Sequence, residues 1–402
     1  MDFPLQHMDI RNFPPPKIPL SPVLDNNHAP NSHPEKTPSI FDAKYKLNTT
    51  SGRAALSIAL EECGTTNEHE VLIPSYHCES MISPTLRLNA KAIFYRINSD
   101  TSPNLTDLKK KISPKTKAII VTHFFGFTED LTDIRQLCDT HNICLIEDCA
   151  HAFFGQINRQ SVGTVGDYAI ASTMKFFPVF DGGILASQKY NLQNISLKQP
   201  SLSFQVKSWI NAVERALAYK RLGARGKVLN TLLSIKTTCW SFIKGLRPQE
   251  SVVTSSPGSS EGGFGLDENW IYVKSTVSSQ KTIINADYSD ISKKRRAYYE
   301  LLDDALRDLP SCEPLFKNLP HDVVPLVYPL KFQCPEQYFS ALKEKGVPIW
   351  RFGEYLDEKV TPEEFPISRE LSETVFQFPC HQSLTQDELD WMIKTIKETI
   401  KS

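Results

Sequence analysis

An acid and a lysine, each closing an apolar run, are the residues of this sequence best placed to do chemistry. Leu145-Ile146-Glu147-Asp148-Cys149-Ala150-His151 ends one run in carboxylates. Tyr168-Ala169-Ile170-Ala171 leads through Ser172-Thr173-Met174 to Lys175, with Gly182-Gly183 shortly after. In an α/β sheet, ligands sit beyond the carboxyl ends of parallel strands, so Asp148 and Lys175 can face one pocket. A lysine there can form a Schiff base, and a buried carboxylate can keep a pyridinium nitrogen protonated. Those are the two protein groups that pyridoxal 5'-phosphate (PLP) chemistry asks for. A lysine after a strand is more often a solvated strand-end charge, so the pair needs support from the rest of the chain.

The elements that must position the pair can be read on either side of it. Ser51-Gly52-Arg53 opens a helical run (Ala54, Ala55, Leu56, Ile58, Ala59, Leu60). Free backbone N–H groups and a positive dipole end make that start a phosphate site, or an ordinary N-cap. Val71-Leu72-Ile73-Pro74-Ser75 reads as a buried strand leading into the loop Tyr76-His77-Cys78-Glu79. Further strands are expected at Ala92–Ile97 and Lys117–Thr122, the latter running into His123-Phe124-Phe125-Gly126. Helices are expected at Asp107–Ile112 and Thr132–His141. Strands alternating with helices predict an α/β fold, a mostly parallel central sheet covered by helices.

Beyond Gly183 the alternation fails. Residues 187–205 read as loop, and 206–247 as amphipathic helical segments with nine Lys/Arg against the single acid Glu214. Such a stretch fits a solvated face, a subunit contact, or peripheral contact with a membrane or polyanion. Residues 251–265 are linker-like. From Asp287 a long helix, strands at Val324–Phe332 and Val375–Phe378, and helices at Pro335–Lys345 and Thr385–Lys401 predict a smaller α+β domain. The chain thus divides into a Pro-rich extended arm (1–45), a large domain (46–190), a basic helical insertion with linker (191–285) and a small domain (286–402). The arm is expected to be ordered only where it packs on something.

Composition narrows the classes. A net charge of −1 gives no electrostatic case for nucleic acid. No run of 18 apolar residues predicts a membrane span, and no basic-then-apolar start predicts a signal peptide. Nine cysteines without a C-x-x-C pair, several in apolar runs, lead us to expect free thiols in a reducing compartment, hence the cytoplasm.

In order along the chain, these motifs resemble the sugar aminotransferases of the DegT/StrS family, fold-type-I PLP enzymes. Ser51-Gly52-Arg53-Ala54-Ala55-Leu56 is similar to the family's phosphate-binding helix start, and Val71–Tyr76 to its strand and cofactor-covering loop. Ile146–His151 resembles its E-D-x-A-Q/H motif, and Gly163-x-x-Gly166-Asp167 with Lys175 and Asp181-Gly182-Gly183 its lysine segment. Val375–Leu384, including His381-Gln382, resembles its C-terminal signature. The likeness covers 46–190 closely and 287–400 loosely.

The resemblance implies a fold-type-I architecture and a PLP-dependent transaminase. It implies Lys175 as the covalent and proton-moving lysine and Asp148 as partner of the ring nitrogen. His151 would lie near the phenolic oxygen, with the backbone of Gly52 and Arg53, and Ser172, at the phosphate. Where the family stacks an aromatic on the ring this chain has Cys78, so Tyr76 or His77 is expected to cover it. The family's Asn-x-Arg segment is not found. A nucleotide-linked keto sugar as acceptor, glutamate as donor and a homodimer are what the same resemblance implies. A PLP enzyme of another type, such as a sugar dehydratase, and a non-catalytic protein keeping the fold are the rivals. The family's dehydratases replace the lysine that this chain retains.

Overall fold

The computed structural model describes residues 13–25, 37–223 and 266–401. A seven-stranded sheet forms its centre. The strands are β1 (Tyr45–Thr49), β2 (Glu70–Pro74), β3 (Lys91–Tyr95), β4 (Thr116–Thr122), β5 (Cys144–Asp148), β8 (Tyr168–Ser172) and β9 (Gly183–Ser187); a small hairpin, β6 (Gln156–Ile157) with β7 (Gln160–Ser161), lies between β5 and β8. The strand order is β1-β9-β8-β5-β4-β2-β3. Pairings from β3 to β8 are parallel, while β9 runs antiparallel to both β8 and β1. The all-apolar middles of β4, β5 and β8 follow from this placement: a central strand covered on both faces has no polar side to show.

Helices α1 (Gly52–Glu62), α2 (Glu79–Arg87), α3 (Leu105–Lys111) and α4 (Thr132–His141) connect these strands. α1 forms because Ser51 caps it, accepting the Ala54 N–H, and because Ala, Leu and Ile fill its interior; residues 53–60 are all buried. α4 ends at Asn142, in the left-handed conformation that commonly closes a helix.

The C-terminal part pairs α7 (Tyr288–Leu306) and α10 (Gln386–Lys401) with a four-stranded antiparallel sheet. Its strands are β10 (Cys312–Pro314), β11 (Val327–Phe332), β12 (Trp350–Arg351) and β13 (Val375–Pro379), in the order β10-β11-β13-β12. α8 (Pro335–Glu344) and α9 (Pro366–Thr374) complete it. Between the two parts lie α5 (Leu202–Ala218) and α6 (Val277–Ile284). Both hang on Asp181: its buried carboxylate accepts from Ser208 Oγ (2.5 Å), Thr276 N (2.7 Å), Thr276 Oγ1 (2.8 Å) and Ser279 Oγ (2.7 Å). Among the described residues these four donors, with no cation, meet the charge by hydrogen bonds.

Two expectations meet the structure here. The described piece of the arm is fixed where it packs on the C-terminal part. Lys17 N donates to Gly346 O, His381 Nε2 donates to Pro19 O, and Val23 exchanges hydrogen bonds with Ser383. The expectation of free thiols throughout is corrected, because Cys63 and Cys144 form a disulfide with Cα atoms 5.9 Å apart. α1 starts at the carboxyl end of the sheet and runs back across it, which brings its last turn to the first residue of β5. The basic segment begins within α5; residues 224–247 of it and the linker 251–265 lie outside the described residues.

Candidate active site

The carboxyl ends of β4, β5 and β8 bring the expected residues together. Asp148 closes β5 and is buried; its Oδ1 accepts the Ala150 N–H at 2.9 Å. Burial raises its pKa, opposed by that N–H and by the charges of Lys175 and His123. Lys175 ends a 3₁₀ turn (Thr173–Lys175) directly after β8. Its ammonium end is buried, which lowers its pKa, while Cys78 and Asp148 pull the other way. The lysine and the acid therefore share one desolvated space, each shifted toward its neutral form.

Glu147, the other half of the acidic pair, faces elsewhere. Its carboxylate accepts from Gly163 N (2.9 Å), Val165 N (2.7 Å), Gly166 N (2.5 Å) and His123 Nε2 (3.1 Å). Burial pushes its pKa up, but His123 and the Gly166 and Gly163 N–H groups outweigh that and hold it low. Glu147 thus fastens the loop that feeds β8, and Asp148 alone is left for the pocket.

An aromatic wall stands over this pocket. Tyr76 is fully buried, stacks on Phe124 (5.3 Å between centroids) and meets Phe352 edge-on (4.9 Å). Its hydroxyl has no hydrogen-bond partner among the described residues. His151 packs on Phe125 (5.8 Å) and edge-on to Phe352 (4.8 Å). Burial and the Lys175 charge hold its pKa well below the usual histidine range. Phe125 carries a φ of 58°, rare for a bulky side chain, and Gly126 follows at φ 100°, where any Cβ would overlap the Val324 carbonyl. That tight corner turns Phe124 and Phe125 toward Tyr76 and His151.

His77 is engaged differently. Its Nδ1–H donates to Ser75 O (3.0 Å), its Nε2 accepts the Asp357 N–H (3.1 Å), and its ring stacks on Phe94 (4.8 Å). It fastens the C-terminal part to the loop after β2, which leaves Tyr76 as the aromatic of that loop beside the pocket. Cys78 has its thiol near Lys175 and Asp148; burial raises its pKa and Lys175 lowers it.

The start of α1 reaches the same place. A methyl on Gly52 would lie 3.5 Å from Ala171 O and 3.6 Å from Ser172 Cβ, so the helix N-terminus sits against the end of β8. Gly183 makes this possible, since any Cβ there would overlap Ser51. The first N–H groups of a helix lack intrahelical acceptors and carry the positive dipole end, and Ser172 adds a hydroxyl. This donor set fits a phosphate, the Lys175–Asp148 pair fits an aldehyde-bearing pyridine ring, and the unpartnered Tyr76 hydroxyl offers one further hydrogen bond. The residues present fit PLP.

Sequence reasoning missed Arg295 and the role of Gln382. Arg295, on α7, is fully buried and donates from Nη2 to Lys175 O (3.0 Å); Gln382 Nε2 donates to Phe176 O (2.7 Å). The signal was present: Arg295 falls on the apolar stripe of Ile291, Tyr299 and Leu302, where a solvated cation does not belong.

Parts of this chain are similar to known proteins. Residues 35–230 match the model of the DegT/DnrJ/EryC1/StrS aminotransferase family. GDP-perosamine synthase of Vibrio cholerae is 34% identical over 135 residues, 33% of this chain and 36% of that protein. L-glutamine:2-deoxy-scyllo-inosose aminotransferase of Streptomyces kanamyceticus is 38% identical over 118 residues, 29% of this chain and 28% of that protein. The chain spans about a third of the length of the curated relatives it matches. Spr1654 of Streptococcus pneumoniae, solved in a PLP form, superposes with a TM-score of 0.62 at 17% identity, over 90% of this chain and 88% of that one. At that identity the likeness establishes the fold, the fold-type-I architecture.

Proposed function

Given that residues 35–230 match the model of the DegT/DnrJ/EryC1/StrS aminotransferase family, we propose that this chain is a member of it and a PLP-dependent aminotransferase. It passes an amino group from glutamate to the ketone of a nucleotide-linked sugar, in amino-sugar or polysaccharide biosynthesis. One observation carries the reading: Lys175 and Asp148 share a desolvated space at adjacent strand ends, with a helix N-terminus beside it. Bound there, PLP supplies an electron sink that makes the C–H of an attached amino donor acidic.

The chain's own residues do the rest. Lys175, its pKa lowered by burial, has a neutral fraction that can take a proton and return it. With the cofactor bound, Asp148 would hold the ring nitrogen's proton, and Gly52, Arg53 and Ser172 would take the phosphate. Tyr76 would cover the ring where Cys78 replaces an aromatic, and His151 would serve its phenolic side. The aromatic wall excludes water from the proton path. Action as a homodimer in the cytoplasm belongs to the same proposal. Leu202, Val206 and Trp209 are exposed on one stripe of α5, as a subunit contact requires. Six cysteines are free among the described residues, beside the one Cys63–Cys144 bond, and that predominance of free thiols supports the compartment proposed.

The test is an absorption spectrum of protein reconstituted with PLP, before and after glutamate or glutamine, beside Lys175→Ala. Wild type is expected to show a near-visible band that one amino donor bleaches. The variant should lose borohydride-trapped cofactor and activity by about 10³-fold or more. Bleaching by glutamine alone reassigns the donor, in line with the name of the Streptomyces relative. A band that no donor touches points to another PLP reaction, such as sugar dehydration. No band at all selects a non-catalytic protein with this fold.

A further inference from the structure

We propose that Arg295 is a positioning residue for Lys175. From a helix of the C-terminal part it clamps the lysine's own peptide and so fixes the direction in which the amine leaves the chain. The inference rests on the reading of Lys175 given above.

Among the described residues Arg295 is a cation with no anion. Its Nε donates to Gln382 Oε1 (3.0 Å), Nη1 to Pro325 O (3.2 Å) and Leu326 O (3.0 Å), and Nη2 to Lys175 O (3.0 Å). The guanidinium also lies over the Phe176 ring at 4.6 Å. All these partners are neutral, and burial lowers its pKa to about 10. Burying an uncompensated charge is costly, and a neutral donor could bridge any one of these carbonyls. A planar fork with five donors is required only if several carbonyls from separate segments must be held in one fixed geometry. Here they come from residues 175, 325 and 326, with the Gln382 side chain as a fourth acceptor.

Gln382 completes the clamp. Its Oε1 accepts from Arg295 while its Nε2 donates to Phe176 O. The carbonyls of Lys175 and Phe176 are thus both held from the C-terminal part. The preceding end of the turn is held by the large domain: Thr173 N donates to Gly182 O, and Thr173 O accepts from Phe176 N and Phe177 N. Because a peptide unit is planar, fixing the Lys175 carbonyl fixes ψ of Lys175. With the backbone held at both ends of the turn, only the side-chain torsions of Lys175 are left to place its amine.

The experiment compares wild type with Arg295→Lys and Gln382→Met, each as full-length chain. It reads PLP loading, the pH titration midpoint of the bound cofactor's near-visible band, and, without cofactor, amide exchange at residues 176 and 177. Arg295→Lys keeps the charge and loses the fork. It is expected to fold, with near-ultraviolet circular dichroism like wild type, to load PLP about tenfold or more weakly, and to move the titration midpoint. A folded Arg295→Lys protein with wild-type loading, titration and local exchange overturns the proposal and leaves a packing role.

If Arg295→Lys does not fold, Gln382→Met decides in the same way, since it cuts the Phe176 bond and leaves the cation in place. If wild type takes up no PLP, the functional reading fails, not this one. Exchange at 176 and 177 in the cofactor-free proteins then decides: selective acceleration in the variants supports the clamp, and none overturns it.

Discussion

At the scale of the residue, Asp148 shows what the pocket costs the empty protein. Its pKa is raised in the fold, so its contribution to stability is full below the unfolded value, about 4, and is lost as pH rises through the folded value. Asp148→Asn cannot ionise, so without cofactor it is expected to melt above wild type at pH 8, with the gap closing toward pH 4. With cofactor the order reverses, because the ring nitrogen loses its partner and activity falls by about 10²-fold or more. Thermal scans across pH decide this, and a variant less stable than wild type at pH 8 would refute it. Asp148 and Lys175 were legible in sequence because each ends an apolar run. Glu147 was not separable from Asp148 there, since alternation along a strand says that they point to opposite faces but not which face holds the pocket.

At the scale of the element, α1 depends on a glycine in another strand. Gly183 admits the helix N-terminus against the sheet, and its backbone is ordinary, so alanine there meets a steric obstacle alone. Gly183→Ala is expected to displace Ser51 and Gly52, costing about 1–3 kcal/mol of stability. PLP and inorganic phosphate should both bind about tenfold or more weakly, as isothermal titration would read. Unchanged phosphate affinity would mean that α1 does not hold that group. The elements that periodicity did place lie within a few residues of where it put them: α4 spans Thr132–His141 as expected, and α8 ends at Glu344, one residue earlier, whereas α2, α9, β1 and β9 were not read from it. The aromatic corner at Phe125 and Gly126 was invisible, because a left-handed phenylalanine has no local signal and is imposed by the Val324–Leu326 segment packed against it.

At the scale of the whole molecule, two neutral histidines fasten the parts together. His77 is lowered to about 4 and His381 to about 3, both chiefly by burial. Each uses one ring nitrogen as an acceptor, from Asp357 N–H and from Ser383 N–H respectively. Depressed values mean stability that is full above the unfolded value of about 6.5 and is lost as pH falls toward the folded ones. Protonation puts an N–H against an N–H at both fastenings. Between pH 6 and 4, near-ultraviolet circular dichroism and tryptophan emission are therefore expected to change before far-ultraviolet helix signal is lost. A single coincident transition would refute the idea. Sequence could name neither role: His77 read as a ring cover and His381 as part of a signature. Which residues meet across 280 positions of chain, as His77 and Asp357 do, is a property of the folded contact alone.

Asp181 makes the chain modular in an unexpected place. α5 and α6 meet the lysine loop through Ser208, Thr276 and Ser279 on that one carboxylate, six residues beyond Lys175. The outer surface of the insertion can thus be redrawn by substitution, lengthening or grafting while those three hydroxyl residues stay. An asparagine at 181 would force an amide N–H₂ among donors and unhook both helices at once. For protein engineering, the insertion is a handle whose buried socket is Asp181, with Arg215–Ser21 (3.0 Å) and Arg221–Glu388 as the outer fastenings to keep.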